Sequence, residues 1–369
     1  MLKKIKAFLA KETVLCVAAC CAIFTMFLVP PDAEYLHYID FRVLCLLLCL
    51  MAVVAGLKAI GTFQWLTYQL LHRIQSGHIL SVTLVLLPFF CYMFVTNDVA
   101  LIIFIPFTLM LLDQLGCSQC IIPITVLQTV GANLGSMATP VGNPQNLYLY
   151  AFYNIGIGEF FSVTLPLTAI SLIALTAFSI RVLPKKLPEQ QLAPVRISNI
   201  RNLIVYCGLF VLCLLTVFRV VPYPVTTAIT VAVLFLTDRK LLREIDYMLL
   251  LTFVCFFTVS ENLGRMDAVR SFLQQLLSWN TLLTAVITSQ VISNVPAAVV
   301  LSGFTDQWRQ MLAGVNIGGL GTPIASLASL ITMKFYMAWP GAKIGKFLIC
   351  FLTANVIGLV ILLVFSQII

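Results

Sequence analysis

Residues 131–147 read GANLGSMATPVGNPQNL, and residues 314–330 read GVNIGGLGTPIASLASL. Aligned without gaps, Gly131, Asn133, Gly135, Thr139, Pro140 and Leu147 fall on Gly314, Asn316, Gly318, Thr322, Pro323 and Leu330. Most of these matches are helix-breaking or polar residues, not the Leu and Val that align by chance in any apolar chain. Self-similarity of this kind is to be read before any motif. Upstream, Thr96-Asn97-Asp98 is echoed by Ser293-Asn294-Val295. Further upstream, Gly61 ends one apolar run before an amphipathic stretch (Phe63, Leu66, Leu70), and Gly264 ends another before Met266 and Leu273. Each half therefore runs in one order: a span with a Gly stop, a polar tip, a broken helix, and a closing span.

The surroundings of the repeat are lipid-like. The chain is 61% hydrophobic and 10% charged over 369 residues, with a mean hydropathy of +1.04. Soluble domains carry about 25% charged residues, so a chain this apolar takes lipid as its solvent. Runs long enough to cross the hydrocarbon core lie at 13–30, 39–57, 159–183, 203–221, 223–237, 247–263 and 346–367. Two longer regions, 79–153 and 281–338, are apolar but interrupted. Lys3, Lys4, Lys6 and Lys11 before the first run also suit a signal peptide. The run is long for one and Pro30-Pro31-Asp32 follows without a small-residue cleavage site, so it reads as an uncleaved first span.

Basic residues sit in a few connections, which sets orientation by the positive-inside rule. They are Lys58 and Arg73; Arg181, Lys185, Lys186, Arg196 and Arg201; Arg239, Lys240 and Arg243; and Lys334, Lys343 and Lys346. The connection 31–40 instead holds Asp32, Glu34 and Asp40. Keeping every basic cluster in the cytoplasm puts the N-terminus inside and the C-terminus outside. Each interrupted hairpin then returns to the side it left. The span 39–57 runs outward to inward and its counterpart 247–263 the other way, so the repeats are inverted. Inverted repeats with discontinuous helices are the architecture of alternating-access carriers. The net charge of +8 is topology, not a nucleic-acid footprint.

The expected fold is an all-α polytopic membrane protein of two inverted repeats. The N-terminal half is 1–180 (hairpin 79–112, broken helix 120–153), and 181–202 is the basic connection. The C-terminal half is 203–369 (hairpin 281–304, broken helix 314–336). Residues 131–146 hold three Gly, two Pro and three Asn, a composition expected to stop a helix. Non-helical backbone inside a bilayer must be buried in protein or line a watery cavity. Its free carbonyls can ligate sodium, and half-helix N-termini can face an anion.

Asn97 and Asn294 sit at the hairpin tips, where an amide can cap a helix, bind a cation through oxygen, or donate to a carboxylate; all three readings stay open. Asp98 is an intramembrane acid and defaults to a functional role, cation binding or proton transfer. Its counterpart is Val295, so that role is asymmetric. Glu261, Arg265 and Asp267 read as an extracellular surface cluster, and Arg42 and Arg219 as span-end residues that snorkel. The twelve cysteines lie mostly in apolar spans and behave as small hydrophobes. Cys117-x-x-Cys120 has no His or second pair to make a metal site. No H-E-x-x-H, G-x-S-x-G or P-loop is present, so an enzyme is not expected. No cofactor is expected beyond candidate sodium ions.

On GANLGSMATPVGNPQN, GVNIGGLGTPIASLAS, TNDVA and SNVPAA the chain resembles the ion transporter superfamily. That group contains arsenical-pump membrane proteins, sodium/proton antiporters of the NhaD type, citrate permeases and divalent-anion/sodium symporters. The resemblance implies an elevator-type carrier, often a homodimer, moving a small anion with sodium or protons across an inner membrane. A sodium/proton antiporter or arsenite-type efflux permease is the alternative. Carried over by position, the cation site falls on Thr96, Asn97, Asp98, Asn133, Gly135, Ser293, Asn294, Asn316 and Gly318. The substrate site falls on Asn97, Asn294, Thr139, Pro140, Gly142, Asn143, Asn146, Thr322, Pro323 and Ser326. The symporters' tips read Ser-Asn-Thr, and both third positions depart from Thr here. No cationic side chain is expected at the site.

Overall fold

In a computed structural model of the protein, residues 12–71, 74, 76–94, 97–186 and 195–367 are described. They are helical, and no strand occurs among them. Helices fall on all seven expected spans: α1 Thr13–Leu28, α2 Phe41–Ala59, α8 Ile157–Ser179, α9 Ile200–Val217, α10 Tyr223–Thr237, α11 Tyr247–Gly264 and α17 Ile344–Ser366. At 1.5 Å per residue the 19 residues of α2 reach about 28 Å, close to a hydrocarbon core of ~30 Å. Five of the helices are long and apolar enough to cross a membrane. Large apolar side chains such as Leu236, Ile204 and Ile349 point outward, as lipid-facing residues do.

The spans α2 and α11 begin with the same device. Asp40 accepts from the Val43 N–H at 3.0 Å, and Asp246 accepts from the Leu249 N–H at 3.0 Å. Such caps satisfy amides that the first helical turn leaves orphaned. α2 stops before Gly61, whose φ of 81° is natural only for glycine. Gly264 closes α11 in ordinary helical geometry, with Arg265 as the cap. Amphipathic helices follow both stops, α3 Thr62–Leu71 and α12 Asp267–Trp279. Arg265, just past α11, pairs with Asp32, in the connection between α1 and α2, at 2.6 Å. Lys58 near the end of α2 and Asp246 before α11 line one cavity. α2 and α11 therefore cross the protein in opposite directions.

The interrupted regions form two hairpins and two broken helices. The first hairpin pairs α4 Gly77–Tyr92 with α5 Asn97–Gln114, and the second pairs α13 Thr281–Ile292 with α14 Asn294–Ser302. The base of the first rests on the connection after α8: the Gly77 N–H donates to Lys185 O (3.1 Å) and the Cys120 thiol to Val182 O (3.2 Å). The base of the second closes on itself, with the Thr281 and Thr305 hydroxyls 3.5 Å apart. There the Tyr153 hydroxyl, just before α8 begins, donates to Ser302 O and Thr305 O, 2.9 Å each. The two hairpins thus open at opposite ends of α8.

The broken helices are α6 Ile121–Ser136 with α7 Pro144–Phe152, and α15 Trp308–Ile317 with α16 Leu327–Met337. Here the structure departs from expectation. Gly131, Asn133 and Gly135 do not interrupt the helix, and α6 runs on to Ser136. The glycines serve a close crossing instead: a Cβ on Gly135 would stand 2.1 Å from the Phe89 carbonyl oxygen, and one on Gly131 3.4 Å from that of Val85. In lipid, small residues that let backbones approach are a main source of helix association. Two boundaries also shift. α9 begins at Ile200, inside the 181–202 connection, and α15 at Trp308, before 314.

Candidate functional site

The two breaks meet in the interior, and their geometry matches across the halves. Asn143 caps α7 in extended backbone (φ −149°, ψ 157°), accepting from the Asn146 N–H at 2.8 Å. Ser326 caps α16 in nearly the same conformation (φ −145°, ψ 147°), accepting from the Ser329 N–H at 3.3 Å. Both sit at equivalent places in the aligned repeat. The Thr139 hydroxyl donates to Met93 O, and the Thr322 hydroxyl donates to Gln290 O at 3.1 Å. Met93 and Gln290 each stand four residues before the tip asparagine of their hairpin. A Cβ on Gly314 would meet Leu282 O at 2.7 Å, as one on Gly131 would meet Val85 O.

Free backbone groups in the breaks are satisfied by different residues. In the first, the Asn146 amide donates to the carbonyls of Ser136 (3.5 Å), Met137 (3.1 Å) and Thr139 (3.1 Å). In the second, Gln290 reaches in from α13. Its Nε2 donates to Gly318 O and Leu320 O, 2.9 Å each, and its Oε1 accepts from the Thr322 N–H at 2.8 Å. The sequence reading passed over Gln290; its only signal was an amide within an apolar run.

The halves lock together through asparagines. Asn133 donates to Gly319 O (3.1 Å); Asn316 donates to Asn146 Oδ1 (2.7 Å) and accepts from Asn143 Nδ2 (3.2 Å). All four are at least nine-tenths buried. Asn143 and Asn146 are thereby committed largely to bracing the break. Asn133 keeps a buried Oδ1 with no hydrogen-bond partner among the described residues, an acceptor available to a cation. Gly135, Gly142 and Gly318 act through close approach: a Cβ on Gly142 would lie 2.2 Å from Ser136 O, and one on Gly318 2.8 Å from the Ser289 side chain. Pro140 lies in the first break, and Pro323 opens the short 3-10 turn of the second.

At the second hairpin tip Ser293 has φ 76°, a strained value for a residue with a Cβ. Its hydroxyl donates to Ala325 O (3.3 Å), tying tip to break. Asn294 follows as the first residue of α14. The first tip, Thr96 with the side chains of Asn97 and Asp98, lies outside the described residues.

Three helix N-termini share one cavity of about 230 Å³. α7 brings Pro144 and Gln145, α14 brings Asn294 and Val295, and α16 follows with Ser326 and Leu327; Met51, Ala55 and Lys58 of α2 form the facing wall. Glu244, Asp246, Leu249 and Ile102 complete it. Each N-terminus presents free N–H groups and about half a positive charge. One cationic side chain, Lys58, lines this cavity. It had passed for a topology marker, being the last charged residue of an apolar span. A larger groove of about 340 Å³ between α6, α8 and α17 is lined almost wholly by apolar residues and contains none of the candidate residues, so we place the site in the smaller cavity.

Away from the cavity, Arg219 does not snorkel. It donates to Tyr150 O (3.2 Å) and Ile155 O (3.1 Å) and stacks over the Tyr150 ring. Arg265, read from the sequence as part of a surface cluster with Glu261 and Asp267, pairs with Asp32 and donates to the Tyr38 hydroxyl (2.9 Å). The Arg265 hydrogen bond holds the Asp32 carboxyl below its usual value. Among the described residues no group of three or more His, Cys, Asp or Glu side chains could hold a metal ion.

Comparison with known proteins agrees with a membrane transporter. The citrate transporter family profile matches residues 3–307. The chain belongs to the citrate transporter family. An uncharacterized transporter of Methanocaldococcus jannaschii is 30% identical over 336 residues, covering 91% of this chain and 92% of that one. The inner membrane protein YbiR of Escherichia coli is 28% identical over 300 residues, 80% of each chain. The silicon efflux transporter of Oryza sativa subsp. japonica is 33% identical over 111 residues, 30% of this chain and 22% of that protein. As a member of the citrate transporter family the chain is an integral membrane transporter, and not an enzyme.

Proposed function

We propose that the protein is a secondary active transporter that moves a small anion, a carboxylate or an inorganic oxyanion, across the cell's inner membrane, coupled to sodium or protons. The observation that carries this reading is the convergence of three helix N-termini on one cavity beside two helix breaks. That arrangement suits a negative substrate group, while the spare Asn133 oxygen and the break carbonyls suit a hard cation. The cation site comprises Asn133, Asn316, Gly135 and Gly318 with the tips Thr96, Asn97, Asp98, Ser293 and Asn294. Asn294, Ser326, Thr139, Thr322 and their neighbours border the substrate.

The opposed directions of α2 and α11, the hairpins opening at opposite ends of α8, and the matched caps and threonine contacts support two inverted repeats. By analogy with the superfamily, we extend the proposal to an elevator movement of hairpins and broken helices against the remaining spans, and to a homodimer. With basic connections inside, the N-terminus is cytoplasmic, the C-terminus outside, and the Lys58 cavity opens inward. A second reading, efflux, is favoured by the rice relative, whose name records silicon efflux. The test is Asn294→Ala in proteoliposomes: anion uptake is lost while membrane insertion is retained. Near-normal uptake would reduce the tip to a helix cap.

A further inference from the structure

We propose that the apolar groove between α6, α8 and α17 holds one acyl chain of an anionic phospholipid, whose phosphate rests on the basic residues at the groove's end. The reading is independent of which substrate is carried. The groove has a volume of about 340 Å³, with Val126, Val130, Phe178, Ala354 and Ile357 among its lining residues. Phe178 and Ile357 are also exposed, so the groove opens toward lipid. Its direction is fixed by contacts along it. Where α6 begins and α8 has ended, the Cys120 thiol donates to Val182 O (3.2 Å). Phe347, in the first turn of α17, stacks on Tyr336 of α16 at 4.4 Å, and the Thr129 hydroxyl of α6 donates to that of Thr332 at 2.8 Å. Farther along, a Cβ on Gly358 would lie 3.1 Å from Leu320, in the second break. The groove thus runs from the end of α8 and the start of α17 toward the breaks. From Cys350 to Leu362 it extends about 18 Å at the helical rise, close to one leaflet of a ~30 Å hydrocarbon core.

Charge at that end selects the lipid. Arg181 precedes the lining residue Val182, and Lys346 stands one turn before the lining residue Cys350. Lys185 and Lys186 follow α8, Lys334 lies in the last turn of α16, and Lys343 caps α17. All six are exposed, and none forms an ion pair with a described residue. Two acids belong to the same end. Asp113, beside the start of α6, accepts from the Ser118 hydroxyl (3.2 Å), and Glu189 follows Lys186 in the chain, outside the described residues. Counting both as fully charged against the six cations still leaves an excess of four positive charges. The start of α17 points the same way. α8 and α17 open with IGEFF (157–161) and IGKFL (344–348). In α8 the Glu159 carboxylate accepts from the Gly156 N–H (3.0 Å). α17 has Lys346 at the matching place, and Lys343 makes no side-chain bond to its first turn. A cation at a helix N-terminus opposes the helix dipole, and an anionic headgroup satisfies both. Clusters of about four to eight Lys or Arg beside a span attract such headgroups.

The test is native mass spectrometry of the delipidated full chain in micelles at neutral pH. The probes are dioleoyl phosphatidylglycerol, dioleoyl phosphatidylcholine and glycerol phosphate. Phosphatidylglycerol is expected to bind at least about fivefold tighter than phosphatidylcholine, each lysine beside an anionic group being worth roughly that factor. Glycerol phosphate, which has no acyl chain, is expected not to compete. Lys343→Gln combined with Lys346→Gln is expected to lower phosphatidylglycerol affinity by about tenfold or more and to leave phosphatidylcholine unchanged. Ala354→Phe, which fills the groove from a half-buried position, is expected to weaken both lipids. Equal binding of the two lipids overturns the proposal, as does an unchanged affinity in the monodisperse double variant. Displacement of the lipid by glycerol phosphate also overturns it, since the groove would then contribute nothing. A monomer–dimer equilibrium that Ala354→Phe shifts, with lipid affinity unaffected, would give the groove to a second copy and overturn it too.

Discussion

Asn133, Asn143, Asn146 and Asn316 hold the centre of the protein through one another, and the glycines beside them set how closely the helices carrying them approach. Gly135 is the tightest of these. Its replacement by Ala drives a methyl into the Phe89 carbonyl at 2.1 Å, which a backbone-to-backbone contact cannot relieve by rotating a side chain. Gly135→Ala is expected to destabilise the protein by about 3 kcal/mol or more, read as a lowered unfolding midpoint in micelles. Gly158→Ala has nothing within 4 Å and is expected to be neutral or slightly stabilising. At this scale the sequence was informative where residue type and repetition coincided, as at Asn133 with Asn316 and Thr139 with Thr322. It was silent on Lys58 and Gln290, because each looks locally like something ordinary: a charge ending a span, and a polar residue tolerated inside one. Their significance arises only when α2 and α13 are brought against the breaks.

The helix breaks are elements in their own right, and each needs a brace. The first has Asn146 from its own second half-helix; the second has Gln290 from the neighbouring hairpin. Gln290→Leu orphans two carbonyls and one amide at once. A loss of about 2–4 kcal/mol is expected from groups of this kind, again read in micelle unfolding, together with transport reduced more than for a similar change on the outer surface. The expectation that residues 131–146 could not be helical failed because glycine's helix penalty of about 1 kcal/mol is small beside a close interhelical contact. Only the segment 137–143, holding Pro140 and ending in the Asn143 cap, leaves the helix.

The pair between Arg265 and Asp32 joins the end of α11 to the connection between α1 and α2. Asp32 is held below the ordinary aspartate value of ~3.9 by that hydrogen bond. Its contribution to stability is therefore present above the ordinary value and disappears as pH falls through the lowered one. The thermal stability of Asp32→Asn is expected to trail wild type at neutral pH, and the gap to close only below the normal carboxylate range. A gap that closes near neutral pH would assign it to another group.

Over the whole molecule, two crossing helices with matching caps run in opposite directions, two hairpins open at opposite ends of α8, and two breaks meet between them. One cavity faces the Lys58 end. On the proposed reading, the same site is exposed at the other end in a second conformation, and the anion moves only together with a coupling ion. The decisive measurement is uptake of labelled small carboxylates and oxyanions into liposomes holding the purified protein, under separately imposed sodium and proton gradients. Saturable uptake driven by one of the two gradients is expected; gradient-independent flux at channel-like rates, or no anion flux under either gradient, would contradict a coupled anion carrier.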